Sequence, residues 1–170
     1  MSESEHARFE RWMREFGPAL SRTASSYEWQ PARRDELVQD IGLAIWRALP
    51  QFRGDSSERS FVLRIAHNRC ISHVSREQRE PKSDALDDEV IGHQPGPDAC
   101  ASERQQFERL QRALLQLPML DRELVSLSLE GIGYQEIADI CGLSSNHVGV
   151  RLHRAKQALK RLLSDVESKK

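Results

Sequence analysis

The sequence predicts an all-α protein: two small helical domains joined by a flexible acidic linker, the C-terminal one containing a helix-turn-helix. Three observations carry this expectation. Apolar residues recur at three- and four-residue spacing through most of the chain, the period of a helix buried along one face. No segment alternates apolar and polar residues long enough to make a half-buried strand. The periodicity fails once, from Gln78 to Ser102, where Pro81, Gly92, Pro95, Gly96 and Pro97 stand among scattered apolar residues. A gap of that length exceeds the usual connection inside a compact domain, so it separates two of them.

Phe9, Trp12, Met13, Phe16 and Leu20 mark the apolar face of a first helix, which the Gly17-Pro18 pair is expected to bend or interrupt. Leu37, Val38, Ile41, Ile45 and Leu49 mark a second, ending near Pro50. Phe61, Val62, Ile65, Ala66, Ile71 and Val74 mark a third. Beyond the linker, Phe107, Leu110, Leu114 and Leu117 form one face of a helix closed by Pro118. Another begins near Asp121, carries Leu124, Val125, Leu127 and Leu129, and stops at Gly131. The expected domains are residues 5–79 and 104–166, with 80–103 as the linker.

A chain of 170 residues suffices for one ordinary domain or two small ones. Its formal net charge of -1 argues neither for nor against a polyanionic partner, but the distribution is uneven. Arg59 to Arg76 holds four arginines and no carboxylate, and Gly149 to Leu163 holds five lysines or arginines and no carboxylate. Between them Asp84, Asp87, Asp88 and Glu89 crowd one short stretch. Two basic patches around an acidic spacer can bind nucleic acid despite a near-neutral total. The three cysteines, Cys70, Cys100 and Cys141, imply no disulfide framework and fit a reducing, cytoplasmic setting. Met1 to Glu10 lacks the apolar core of a signal peptide, and no stretch approaches the roughly 20 apolar residues of a membrane span.

Residues Tyr134 to Lys156 carry the helix-turn-helix signal. A short helix runs from Tyr134 to Cys141, and Gly142 can adopt the left-handed conformation that ends it. Ser144 or Ser145 then offers a hydroxyl to cap the next helix. Ile137, Ala138, Leu143, Val148 and Leu152 are placed to face inward, Ala138 being small where two helices cross. The second helix then exposes Ser145, Asn146, His147, Gly149 and Val150 to a major groove, with Arg151, Arg154 and Lys156 beside them for phosphates or guanine edges. The competing reading is a helical hairpin whose basic side chains are a solvated face.

The N-terminal half decides between uses of such a motif. The segment D-E-L-V-Q-D-I-G-L-A-I-W-R-A-L-P-Q-F-R-G-D-S-S-E-R-S-F-V-L-R-I-A-H-N-R, Asp35 to Arg69, resembles the second conserved region of the sigma-70 family, most closely its extracytoplasmic-function group. L-P-M-L-D-R-E-L-V-S-L, then Y-Q-E-I-A and R-L-H-R-A-K, resemble that family's fourth region in the same order. The resemblance covers about Phe9 to Arg79 and Phe107 to Leu163. It implies a transcription initiation factor that binds core RNA polymerase, opens the minus-10 promoter region and reads the minus-35 region as duplex.

By the same resemblance, Asp35, Glu36, Leu37, Gln39, Asp40 and Ile41, with Val38, would dock on the clamp helices of the polymerase largest subunit, while the C-terminal domain touches the flap. The loop after Phe52 and the helix that follows would hold the minus-10 element through Arg53, Gly54, Ser56, Ser57, Arg59, Phe61, Arg64, Asn68, Arg69 and Arg76. Ser57 also reads as a plain helix cap. Ser144, Ser145, Asn146, His147, Val150, Arg151, Arg154 and Lys156 would contact the minus-35 element. The acidic linker would thread the RNA-exit path, and an anti-sigma factor is an expected partner. Phe61 stands where relatives often carry Trp, Gly133 where they carry Ser, Asn146-His147 where Gly-Thr is frequent, and Gly149 where Lys or Arg is frequent. The minus-35 preference therefore does not transfer. A free-standing helix-turn-helix regulator acting without polymerase, or a helical adaptor that binds no DNA, are the alternatives.

His67, Cys70 and His73 form H-x-x-C-x-x-H, but successive steps of three residues drift about 60° around a helix, so the outer pair diverge by about 120°. No fourth ligand lies nearby, so these residues are expected on the helix surface or in the core, and no metal is expected. No cysteine stands beside a base that would make it a nucleophile, and no paired catalytic carboxylates or phosphate-cradling glycine loop occur. Neither enzymatic activity nor a cofactor is expected of the isolated chain.

Overall fold

A computed structural model describes residues 4–79 and 99–167. Among these residues the chain forms seven α-helices and no strand: α1 (Glu5–Ser25), α2 (Pro31–Ala48), α3 (Glu58–Arg79), α4 (Ala99–Leu115), α5 (Met119–Leu129), α6 (Tyr134–Cys141) and α7 (Ser145–Glu167). A short 3-10 turn, Leu49–Gln51, follows α2. None of the helices described is long and apolar enough to cross a membrane.

The first three helices pack together around Trp12, Leu20, Leu37, Ile41, Ile45, Leu49, Val62, Leu63 and Ala66, all buried. Ser4 starts α1 by accepting the Ala7 N–H at 3.2 Å. The helix runs unbroken through Gly17-Pro18. Proline removes one backbone hydrogen bond and crowds the preceding turn. Here Trp12 and Phe16 before it and Leu20 and Ala24 after it are buried in the same core, which holds both halves of the helix. Pro31 opens α2 from its first turn, where a missing N–H leaves nothing unpaired.

The second half runs α4 to α7. α4 begins at Ala99, inside the segment read as linker. The first turns of α4, Ala-Cys-Ala-Ser-Glu-Arg, are polar or small and carry no apolar stripe, so a periodicity search cannot see a helix there. The acidic run Asp84 to Glu89 lies outside the described residues. Arg122, nearly buried, turns α4 into α5 by donating to the carbonyls of Leu114 at 3.0 Å, Leu115 at 2.8 Å and Leu117 at 3.1 Å. A cation is well placed there, because the last carbonyls of a helix are unpaired and carry its negative pole.

The H-x-x-C-x-x-H motif splits between core and surface. His67 and Cys70 are fully buried, and Tyr27 Oη lies 2.9 Å from His67 Nδ1. Cys141 shares Glu123's company, and burial pushes its thiol up to about 12, so it stays protonated and inert as a nucleophile. Burial pulls the His67 imidazole down to about 3. The unfolded chain takes up a proton near pH 6.5 and the folded one does not, so stability is complete above pH 6.5 and lost as pH falls toward 3. Denaturant unfolding at pH 8 and pH 5 is expected to show a loss of about 2 kcal/mol from this one group. The same comparison on His67→Asn, which lacks the titrating ring, isolates it; an identical pH dependence in both proteins refutes the assignment.

Candidate nucleic-acid interface

The α6–α7 corner has the geometry the sequence predicts. Gly142 sits at φ 67° and ψ 35°, and the Leu143 N–H closes on the Ala138 carbonyl at 2.9 Å. That closure satisfies the open end of α6 and turns the chain sharply. Ser144 is the cap of α7: its Oγ accepts the His147 N–H at 3.2 Å and its carbonyl accepts the Val148 N–H at 3.0 Å. Ser145 is therefore the first residue of the helix. Ile137, Ala138, Val148, Leu152 and Ala155 are buried at the crossing, and Leu143 is half-buried.

The outward face of α7 presents Asn146, His147, Val150, His153, Arg154 and Lys156 to solvent. A shallow groove runs along it, lined by Tyr134, Ser145, Asn146, Gly149, Val150 and Arg154 together with His153. Tyr134 and His153 were not among the residues expected here. Tyr134 lies at the start of α6, half exposed, with its ring over Gly149; a Cβ at 149 would stand 3.6 Å from the ring. Only α7's helical period could have drawn attention to His153, which follows Asn146 and Val150 on one face. Arg151 departs from expectation. Its Nε donates to Asp121 Oδ1 at 2.5 Å, tying α7 to the first turn of α5. That bond holds the Arg151 Nε–H within the fold, on a side chain that is 36% exposed.

In the first half, α2 exposes Asp35, Glu36, Gln39 and Asp40, and of the apolar residues expected with them only Val38 is partly exposed. Leu37 is 2% exposed and Ile41 is fully buried, so both support the helix from inside and neither can reach a partner. The exposed apolar residues of α2 are Leu43 and Trp46, one and two turns beyond Gln39 on the same face. Phe9 and His6 of α1 flank Trp46, with ring centroids 5.2 and 6.2 Å away.

The turn before α3 leaves Arg53 and Gly54 exposed, Gly54 at φ 82° where a side chain would be strained. Ser57 caps α3 by accepting the Ser60 N–H at 3.0 Å. Phe61 is half-buried against Phe52 and Trp12, at 5.0 and 5.9 Å, and Arg64 covers its outer face. Asn68, Arg69 and Arg76 continue the exposed side of α3. Ser56 is half-buried and sits at the edge of the loop.

Part of this surface is engaged by the second half of the chain. Glu130, buried at the end of α5, accepts two hydrogen bonds from Arg22 at 2.7 and 2.8 Å and one from Arg59 at 3.3 Å. Arg59 also donates to the Glu130 carbonyl. Glu136 of α6 accepts from Ser60 at 2.7 Å and from Ser57 at 3.3 Å. Ser57 and Arg59 are thus held by α5 and α6, whereas Arg53, Asn68, Arg69 and Arg76 are open.

Residues 12–80 match the family described as Sigma-70 region 2, and residues 107–159 match Sigma-70, region 4. The RNA polymerase sigma factor NccH of Alcaligenes xylosoxydans is 30% identical over 86% of this chain and 82% of its own length. CnrH of Cupriavidus metallidurans is 30% identical over 91% of this chain and 85% of its own. The extracytoplasmic-function sigma factor EcfG of Rhodopseudomonas palustris is 29% identical over 86% and 80%. The solved structure of CnrH in complex with the cytosolic domain of CnrY aligns with a TM-score of 0.69 at 26% identity, covering 95% of this chain and 90% of that one. The sigma factor RpoE of Bartonella quintana, solved with the anti-sigma factor NepR, shares the fold at a TM-score of 0.72 and 24% identity, over 92% and 97% of the two chains. With both regions present, in order and over most of their length, the chain belongs to the sigma-70 family, in its extracytoplasmic-function group, and is a transcription initiation factor that directs RNA polymerase to promoters.

Proposed function

We propose that residues 5–79 and 104–166 act as the polymerase-binding and minus-35-binding domains, with 80–103 as the connection between them. The observation that carries this is the open face of α7, where base-reading and phosphate-binding side chains stand free beside a correctly capped helix-turn-helix. Asp35, Glu36, Gln39 and Asp40 form the acidic rim that meets the clamp helices, and Leu43 and Trp46 replace Leu37 and Ile41 as its apolar anchor. Exposed aromatic and aliphatic side chains inside a charged rim are the usual makeup of such a contact.

Asn68, Arg69, Arg76 and Arg53 are the first groups available to an opened minus-10 strand. Ser57 and Arg59 join them once Glu130 and Glu136 let go. The arrangement with those contacts made is a closed form of the free factor, and promoter engagement requires α5 and α6 to separate from α3. Two relatives were solved with regulatory partners, CnrH with CnrY and RpoE with the anti-sigma factor NepR. This chain has an anti-sigma partner of its own, works in the cytoplasm with polymerase, and catalyses no reaction by itself.

Run-off transcription with purified core polymerase on the factor's own promoter tests the reading; polymerase-independent operator binding with no transcript refutes it. Arg154→Ala is expected to weaken duplex minus-35 binding and to lower its salt slope by about 0.9, the value of one lost phosphate contact, with unfolding unchanged. Arg151→Ala is expected to lower domain stability by about 0.5 to 1 kcal/mol, with the slope retained. The opposite pattern would reverse their roles.

Glu130→Ala is expected to open the free protein. Arg22 and Arg59 are about half exposed and return to water, so no buried charge is stranded. Small-angle scattering should report a larger radius of gyration. Affinity for a single-stranded minus-10 oligonucleotide should rise about three- to tenfold, the equivalent of removing about 0.6 to 1.4 kcal/mol of closure. Unchanged dimensions and affinity would show that these contacts do not restrain the −10 surface.

A further inference from the structure

Glu28, His73 and Glu77 meet beside the turn between α1 and α2, where the last turns of α3 pass it. Glu28 is almost sealed from solvent, its side chain 4% exposed. His73 and Glu77 are one turn apart on α3, so both project toward it. His73 Nε2 lies 3.0 Å from Glu28 Oε2 and 3.6 Å from Glu77 Oε1, and all three donor atoms fall within 4.8 Å of one another.

These separations are those of a coordination sphere. An ion about 2.1 Å from each ligand sets neighbouring ligands about 3.0 Å apart on an octahedral edge and about 3.4 Å on a tetrahedral one. One edge, at 3.0 Å, has the octahedral length, and the other, at 3.6 Å, lies a little beyond the tetrahedral one. Glu28 is also oriented: its Oε1 accepts the Gln30 N–H at 2.9 Å, which turns Oε2 toward the imidazole. Hydrogen bonds of this kind fix ligand geometry in metal sites. One imidazole and two carboxylates suit zinc, cobalt or nickel, whereas calcium and magnesium prefer oxygen alone.

The group that competes for this position is Arg33. Its guanidinium bonds Glu77 Oε1, and its side chain is 50% exposed, free to swing into water. We infer that Glu28, His73 and Glu77 form a binding site for a divalent transition-metal ion of the zinc type, and that Arg33 is the cation it displaces. The site adjoins the joint between the two halves. The Glu28 carbonyl accepts from Gln111 Nε2 of α4 at 3.2 Å, and Arg122 lies over the ring of the adjacent Tyr27. An ion there braces the segment on which α4 rests.

The test is calorimetric titration of the chelator-treated full chain with zinc alone, with cobalt as a spectroscopic probe. One equivalent is expected to bind, cobalt giving visible absorption bands of a nitrogen- and oxygen-ligated ion. His73→Gln should weaken zinc binding at least tenfold, and circular dichroism checks that the variant, at a side chain only 16% exposed, still folds. Arg33→Ala should tighten binding, because it removes the competing cation. Absence of saturable zinc binding by the wild-type chain, or binding that His73→Gln leaves unchanged while His6→Gln abolishes it, overturns the site. So does an Arg33→Ala variant that binds more weakly.

Discussion

The buried carboxylate of Glu130 sets the relation between the two halves of the molecule. A carboxylate removed from water must be matched by cations and hydrogen bonds or the fold loses several kcal/mol. Glu130 finds Arg22 from α1 and Arg59 from α3, both reaching across from the other half of the chain. Those arginines remain about half in water. The contact is therefore strong enough to align the halves and weak enough to break, since each partner can be rehydrated. Other polar links accompany it, Glu136 with Ser60, Gln111 with a backbone carbonyl and Arg122 over an aromatic ring, beside buried apolar residues of both halves that form one continuous cluster.

The helices themselves were legible because each presents an apolar stripe of the right period, and the α6–α7 corner was legible because its punctuation is local. A glycine that must take positive φ and a serine that must cap lie within three residues of each other. The inward stripe of α2 was legible too, since Leu37, Ile41, Ile45 and Leu49 keep the helical period and are buried. What the period did not single out is the second apolar pair, Leu43 and Trp46, which stays exposed. Pro18 misled, since a strong tertiary core overrides the local preference to break.

The state of each arginine was equally hidden. Arg59 is held by a residue 71 positions away and Arg151 by one 30 positions away. Ion pairs at such separations leave no pattern in the sequence. The consequence is specific: a basic residue on a recognition helix is a DNA ligand only if nothing nearer claims it. Asp121 claims Arg151, and the sequence shows only that both exist.

That subtraction bears on how the family role is carried out. With Arg151 engaged and Gly149 lacking a side chain, the reading face of α7 offers few cations, chiefly Arg154 and Lys156, in a chain of net charge -1. Affinity for duplex DNA depends steeply on the number of phosphates neutralised. Two such contacts leave the isolated domain with weak binding. Tethering changes the arithmetic, because a domain held near its site by a second attachment binds at the effective concentration the connection sets. On the proposed division of roles the attachment is polymerase, gripped through the other half. On that reading a sparse recognition helix makes promoter binding conditional on the holoenzyme.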